Sequence, residues 1–265
     1  MKADLKPKRT PNRIAVLVSV GRHRVSGVSC YSRNDACALE IARMLAQANG
    51  AELDVVHAGD PSNLALTDYL ALGAPRVDVL RCTDGDDAAA LIADRLRGVS
   101  LVLTGTRAEG AYDTGMLPYR VANALGYALI DSALDVAIDG ERVAVTQFLP
   151  KGLRRHIDAS LPAVVAVHPQ AGAAPRYAYA RSVAGSIEPQ RTACVHDADV
   201  DAWRTAPVHR KPIKLAAAEK RSGHARMLTA TTTESRGGNV VIEGTSVEKA
   251  QAILGYLREH RLVDY

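Results

Sequence analysis

Aromatic side chains are scarce: one Trp, one Phe and nine Tyr make up 4% of the 265 residues. A core so poor in rings must be aliphatic, and Val, Ala and Leu supply it. Cysteine is rare as well. Cys30, Cys37, Cys82 and Cys194 share no CxxC spacing, which leaves them as reduced thiols and excludes a disulfide scaffold. No apolar run nears the roughly 18 residues of a membrane-spanning helix. The opening segment MKADLKPKRTPN is basic and has no apolar stretch of signal-peptide length. Export is therefore not expected, and a cytoplasmic location is. Lys and Arg number 33 against 29 Asp and Glu, a net charge of +4 that is too mild for a nucleic-acid partner.

Signatures of catalysis are missing too. GxxxxGK[ST] is absent, no GxGxxG follows the first strand, and there is no GxSxG nucleophile elbow. The eight His residues form neither HxxxH nor HxH, so no metal site is expected. Asp131, Asp135 and Asp139 recur at every fourth position beside a strand edge and read as solvated turn carboxylates. The run from Lys151 to His156 reads as a solvated basic face. A hydrolase or transferase reading therefore has little to stand on.

What is present is alternation. Ile14 to Val20 is a continuous aliphatic run ending in Gly21, the pattern of a strand covered on both faces. After a loop, Ala38, Ile41, Leu45 and Ala48 fall on one helical face that Asn49-Gly50 closes. The unit repeats: a strand to about Ala58, a helix with Leu66 and Leu70 capped by Ser62 or Asn63, and a short strand RVDVLR. A helix from Asp86 to Arg97, a strand from Val99 to Gly105 and a helix from Met116 to Leu125 follow. Connections this short predict an α/β domain with a parallel sheet. Ala133–Ile138 and Val143–Leu149 flank Asp139-Gly140, which predicts an antiparallel hairpin added to the sheet edge, and Leu161 to Val167 is one more buried strand. The expectation is a three-layer α/β/α fold over 13–190, a flexible basic stretch at 1–12, and a C-terminal arm at 191–265. The arm is polar and aperiodic to about Arg236, which suits either a disordered segment or one lying on another protein. Only Val247 to Leu257 regains a helical pattern, capped by Ser246 without a capping box.

In an open parallel sheet, ligands sit beyond the carboxyl ends of the strands. Those ends lie at Ser19 to Arg22, at Ala58 to Asp60 and at Gly105 to Gly115. In the last loop Gly110 and Gly115 flank Asp113 and Thr114 directly before a helix, so its N–H groups suit a phosphate. The other reading, that Asp113 or Thr114 merely caps the helix, stands beside it.

The order of motifs resembles the beta (small) subunit of electron transfer flavoprotein. The family's strand followed by Val-Lys-Arg-Val is met by Val20-Gly21-Arg22-His23. Its Asn-Pro-Phe-Asp before Ile-Ala-Leu-Glu-x-Ala is met by Ser32-Arg33-Asn34-Asp35 and Cys37 to Ala42. Ala-x-Gly-Ala-Asp-Arg is met by Ala71 to Arg76, and Leu-Pro-Ala-Val-Val with Pro-Arg-Tyr by Leu161 to Val165 and Pro175 to Tyr177. The resemblance implies a heterodimer with a larger alpha subunit that holds most of an FAD. It also implies an AMP on the small subunit, with electrons accepted from flavin dehydrogenases and passed to a membrane quinone reductase. Such a carrier subunit is not itself an enzyme. A universal-stress-type nucleotide-binding module is the alternative with the same layered plan.

Carried onto this chain, the cofactor-binding positions are Ser19, Arg22, Ser32, Arg33, Asn34, Asp35, Ala58, Gly105, Thr106, Arg107, Gly110, Ala111, Tyr112, Asp113, Thr114, Gly115 and Met116. The family's loop reads Gly-Lys-Gln-Ala-Ile-Asp-Asp-Asp-x-Asn-Gln-Thr-Gly. Here Gly105 and Ala108 survive, the acidic run is replaced by Gly110-Ala111-Tyr112, and Met116 stands where the last Thr hydroxyl would be. Arg107 and Thr114 are the substitutes expected to hold a phosphate. Val200, Trp203 and Leu254 are the expected partner-binding residues, the first two replacing a family Leu in the recognition stretch.

Overall fold

The computed structural model describes residues 11–23, 25–110, 115–193, 196–204, 222–224, 227, 243–260 and 262–263. The first aliphatic run divides in two. Strand β1 covers Arg13–Leu17, and Val20–Arg22 forms β2, which pairs antiparallel with β3 at Ser29–Tyr31. Sequence periodicity joins these pieces because Val18 and Ser19 are buried and continue the apolar stretch. The chain turns there, so the expected loop after Gly21 carries a small hairpin.

Helix α1, Arg33–Asn49, starts on Ser32, whose Oγ accepts the Asp35 N–H, and ends at Gly50 with φ 63°, the left-handed region that favours glycine. Ala38, Leu39, Ile41, Ala42 and Leu45 of this helix are buried. Strand β4, Glu52–Gly59, and helix α2, Leu66–Ala71, come next. The α2 N-cap is Ala65 and makes no side-chain bond. Asn63 Oδ1 accepts the Ala65 N–H one turn earlier, while Ser62 bonds Asp60. Strand β5 is Arg76–Arg81, and helix α3, Ala88–Arg95, is shorter than its periodicity predicts and is capped by Asp87. Strand β6, Leu101–Gly105, leads to α4, Leu117–Leu125, which Gly126 closes at φ 69°.

The antiparallel extension has three strands where the sequence predicts two. β7, Ala128–Asp139, turns through Gly140 and Glu141 into β8, Arg142–Phe148, and β9, Arg154–Ser160, pairs with β8. The basic face therefore lies on a strand, with Arg154, Arg155 and His156 exposed. Asp131 and Asp135 lie within β7 and not in a turn; Asp131 accepts from Tyr119 Oη and Gln147 Nε2. β10, Ala163–Val167, is buried throughout. Helix α5, Tyr179–Ala184, β11, Ser186–Gln190, and the short helix α6, Ala198–Asp201, follow.

The sheet order is β11-β5-β4-β1-β6-β10-β7-β8-β9, parallel from β11 to β7. β1 lies between β4 and β6, so successive crossovers leave it in opposite directions and a crevice opens at its carboxyl end. Alternate residues serve two cores. Ile14 and Val16 pack with Leu39, Val55 and Leu103, whereas Ala15 and Leu17 pack with Ile92, Val102 and Val121. This is the expected three-layer α/β/α fold with a mostly parallel sheet.

At the amino-terminal half of the strands, buried acids meet arginines. Asp54 on β4 and Asp78 on β5 are 3% and 2% exposed. Arg95 of α3 reaches Asp78 at 2.7 Å and Asp54 at 3.8 Å, Arg76 reaches Asp78 at 2.8 Å, and Arg13 pairs with Asp54. The contacts divide the chain into two units, residues 1–203 and 204–265. In the first, the Asp197 N–H bonds Gly85 O and Arg120 bridges Asp197 and Asp87 at 3.0 Å each. In the second, helix α7, Ser246–Glu259, begins one residue earlier than predicted. Its cap is Thr245, and Glu248 completes a capping box that a cap at Ser246 would not have.

Candidate functional site

The crevice at the carboxyl ends of β1 and β6 is built around Asp35. Being in the first turn of α1, its carboxylate points back over the helix start to both strands. It accepts the Ser19 N–H at 2.8 Å, Ser19 Oγ at 2.5 Å and the Gly105 N–H at 3.0 Å. All three donors are neutral, and burial pushes the Asp35 carboxyl up to about 7 against their pull. Gly105 has to be glycine, because a Cβ there would collide with Asp35 Oδ1 and come within 2.6 Å of Asn34 Nδ2. Asn34 Nδ2 donates to Thr106 Oγ1 at 3.2 Å, while Asn34 Oδ1 is buried with no partner among the described residues.

A second layer consists of Glu109, Tyr69 and His57. The Glu109 N–H donates to Ser19 Oγ at 2.8 Å, so the Ser19 hydroxyl relays from that amide to Asp35. Ser32 Oγ lies 3.3 Å from Glu109 Oε1, and a Cβ on Gly21 would come within 2.8 Å of Glu109 Oε2. The Ser32 N–H donates to Tyr69 Oη at 2.9 Å, and Tyr69 donates to Ser19 O at 2.6 Å. Burial, with Asp35 and Glu109 nearby, holds the Tyr69 hydroxyl well above its usual pKa, so it stays a donor. His57 Nδ1 donates to Val18 O at 2.9 Å, and burial lowers the imidazole pKa.

Of the predicted positions, Ser19, Ser32, Asn34, Asp35, Gly105 and Thr106 meet in this network. Arg22, Arg33, Arg107, Gly110 and Met116 are exposed around it, and Gly115 adopts φ 72°. Ala58 packs with the α3 and α4 core. Ala111, Tyr112, Asp113 and Thr114 lie outside the described residues. Glu109, Tyr69 and His57 were not singled out by sequence. Glu109 is the one with a visible signal, since it is a carboxylate in the loop that follows the strand whose end forms the site. No group of His, Cys, Asp and Glu among the described residues is arranged to hold a metal. Val200 is half-buried and Trp203 is 53% exposed at the end of the first unit, while Leu254 lies on α7.

The family model described as "Electron transfer flavoprotein domain" matches residues 24–203. The chain is also 32% identical over 257 residues to "Electron transfer flavoprotein subunit beta" of Chromohalobacter salexigens, covering 94% of this chain and 95% of that protein. The chain belongs to the electron transfer flavoprotein beta-subunit family. The match ends at Trp203, where the first contact unit also ends. Membership decides against the universal-stress-type alternative. It also agrees with a crevice that has a nucleotide-site topology. Among the described residues no helix is long and apolar enough to cross a membrane.

Proposed function

We propose that the chain is the beta subunit of a heterodimeric electron transfer flavoprotein and works in the cytoplasm. It assembles with a larger alpha subunit that holds most of the FAD, accepts electrons from flavin dehydrogenases, and passes them to a membrane quinone reductase. It has no catalytic reaction of its own, and residues 191–265 form the arm that packs on the alpha subunit. The observation that carries this reading, beside family membership, is α7. No residue of that helix is buried: Val247 and Ile253 are each 63% exposed, and Leu254 and Leu257 are half-buried. An apolar helix face left open in this way needs a partner. Val200 and Trp203 are assigned to the same interface.

The test is expression with and without an alpha subunit. The chain alone should be colourless, and co-expression should yield a yellow complex with about one FAD per heterodimer. Stoichiometric flavin on the isolated chain overturns the assignment. Leu254→Asp should weaken assembly, because it forces a charge into the docked face; unchanged assembly would remove α7 from the interface.

The AMP of the family resemblance is assigned to the loop after β6, with Arg107 and Thr114 as its phosphate partners in place of the family's Asn, Gln and Thr.

A further inference from the structure

Arg120 leaves helix α4 beside Val121 and Ala122, which are buried in the core, so its stem starts from a fixed platform. Its guanidinium spans two carboxylates. Nη2 lies 3.0 Å from Asp87, the cap of α3, and Nη1 lies 3.0 Å from Asp197, which is 7% exposed. Backbone bonds seat the same segment on the loop after β5. The Asp197 N–H donates to Gly85 O at 2.9 Å, and His196 forms an antiparallel bridge with Asp86. Gly85 lies close under the ring of His196, where a Cβ would come within 3.0 Å. From Asp197 the frame continues through α6: Asp197 O accepts the Val200 N–H at 3.1 Å, and Val200 O accepts the Trp203 N–H at 3.0 Å. The chain's one tryptophan thus hangs from this clasp, and it is 53% exposed.

We infer that Arg120 is a positioning residue for partner binding: by tying Asp197 to Asp87 it holds residues 196–203 on the first unit and presents Trp203, already ordered, to an apolar pocket of the alpha subunit. Tryptophan is among the side chains enriched at the energetic centre of protein interfaces, and an anchor ordered before contact loses less freedom on binding. Arginine suits the task because its planar fork reaches two carboxylates at once, which the point charge of a lysine does not. Without the guanidinium, Asp197 would lose this countercharge while nearly buried, and the turn relieves that cost by leaving its seat. The inference rests on the reading of the chain as a flavoprotein small subunit whose Trp203 faces the alpha subunit.

Because Trp203 is the chain's one tryptophan, its fluorescence anisotropy decay on the full chain reads this turn without a label. In the wild type Trp203 should tumble with the first unit. Arg120→Gln should add a faster, nanosecond motion at Trp203 while the far-ultraviolet circular dichroism stays unchanged. Titration with the alpha subunit should show assembly weakened about tenfold by Arg120→Gln, and about thirtyfold or more by Trp203→Ala. An anisotropy decay that Arg120→Gln leaves unaltered overturns the clasp. A looser Trp203 with undiminished assembly overturns its role in presentation, as does a Trp203→Ala protein that assembles like wild type. Asp87→Asn keeps the α3 cap, weakens the other end of the bridge and should loosen Trp203 likewise, so it decides the matter if the arginine variant does not fold. A wild-type chain that forms no FAD-bearing complex with the alpha subunit overturns the underlying reading instead, and the anisotropy measurement still decides the clasp.

Discussion

Buried carboxylates lie at both ends of this sheet, and the two ends treat them differently. At the amino-terminal half, Asp54 and Asp78 are met by Arg13, Arg76 and Arg95. At the carboxyl end, Asp35 is met by two backbone amides and one hydroxyl, with Glu109 nearby. A full countercharge compensates a buried acid and ties strands to helices. Neutral donors leave the acid close to its titration point. The first arrangement serves the scaffold, and the second creates a polar, pH-responsive crevice where the topology also places a ligand site. Position along the strands thus separates acids held by countercharge from an acid held by neutral donors, two kinds that composition alone treats as equal.

The comparison predicts its largest effect at Arg95. Arg95→Met removes the bridges to Asp78 and Asp54 and leaves those buried acids to the more exposed Arg76 and Arg13, so urea unfolding should show a loss of roughly 3 kcal/mol. A loss under about 1 kcal/mol would mean that Arg76 and Arg13 suffice by themselves. Asp35 should come next, through pH. Its carboxyl is raised from 3.8 to about 7, so the folded state holds a proton that the unfolded chain has already released. The associated stability is fully present below about pH 4 and is lost as pH rises through about 7. Between pH 5 and 7 the change should be about 2–3 kcal/mol. Asp35→Asn should flatten that slope whatever its absolute stability, and parallel pH profiles for the two proteins would refute the titration.

Ser19→Ala tests the crevice without touching a charge. It deletes the hydroxyl between the Glu109 amide and Asp35 and should cost roughly 1–2 kcal/mol, read from the same unfolding curves at pH 7. The smallest effect belongs to the exposed pair of Arg97 and Asp94, 3.2 Å apart with side chains 70% and 82% exposed. Arg97→Ala should change stability by no more than about 0.5 kcal/mol. An effect as large as that of Arg95 would show that burial is not what separates these ion pairs.

The sheet was legible because its central strands are unbroken aliphatic runs, and a fully covered strand has few other compositions. The hairpin was legible from Asp139-Gly140. β9 was not, since Arg154, Arg155 and His156 carry the signature of a solvated face and the strand is paired on one side alone. β11 is polar and contains Pro189, so nothing in its five residues announces a strand. The crevice was half legible. Helix-start residues and strand ends locate Ser19, Ser32, Asp35 and Gly105. Tyr69 and His57 enter from α2 and β4 through contacts 50 and 39 residues distant in sequence, which no local pattern encodes.

The two outermost strands have a consequence for how this molecule associates. β11 presents Pro189, which has no N–H to offer, and β9 presents a row of cationic side chains. Each makes an added strand costly, one by removing a donor and the other by repulsion and bulk. A nine-stranded open sheet would otherwise be a template for uncontrolled growth along its hydrogen-bonding direction. With both borders sealed, recognition is left to side chains on helices and loops, where identity can be read. That suits a subunit that must pair with a different chain and not with copies of itself.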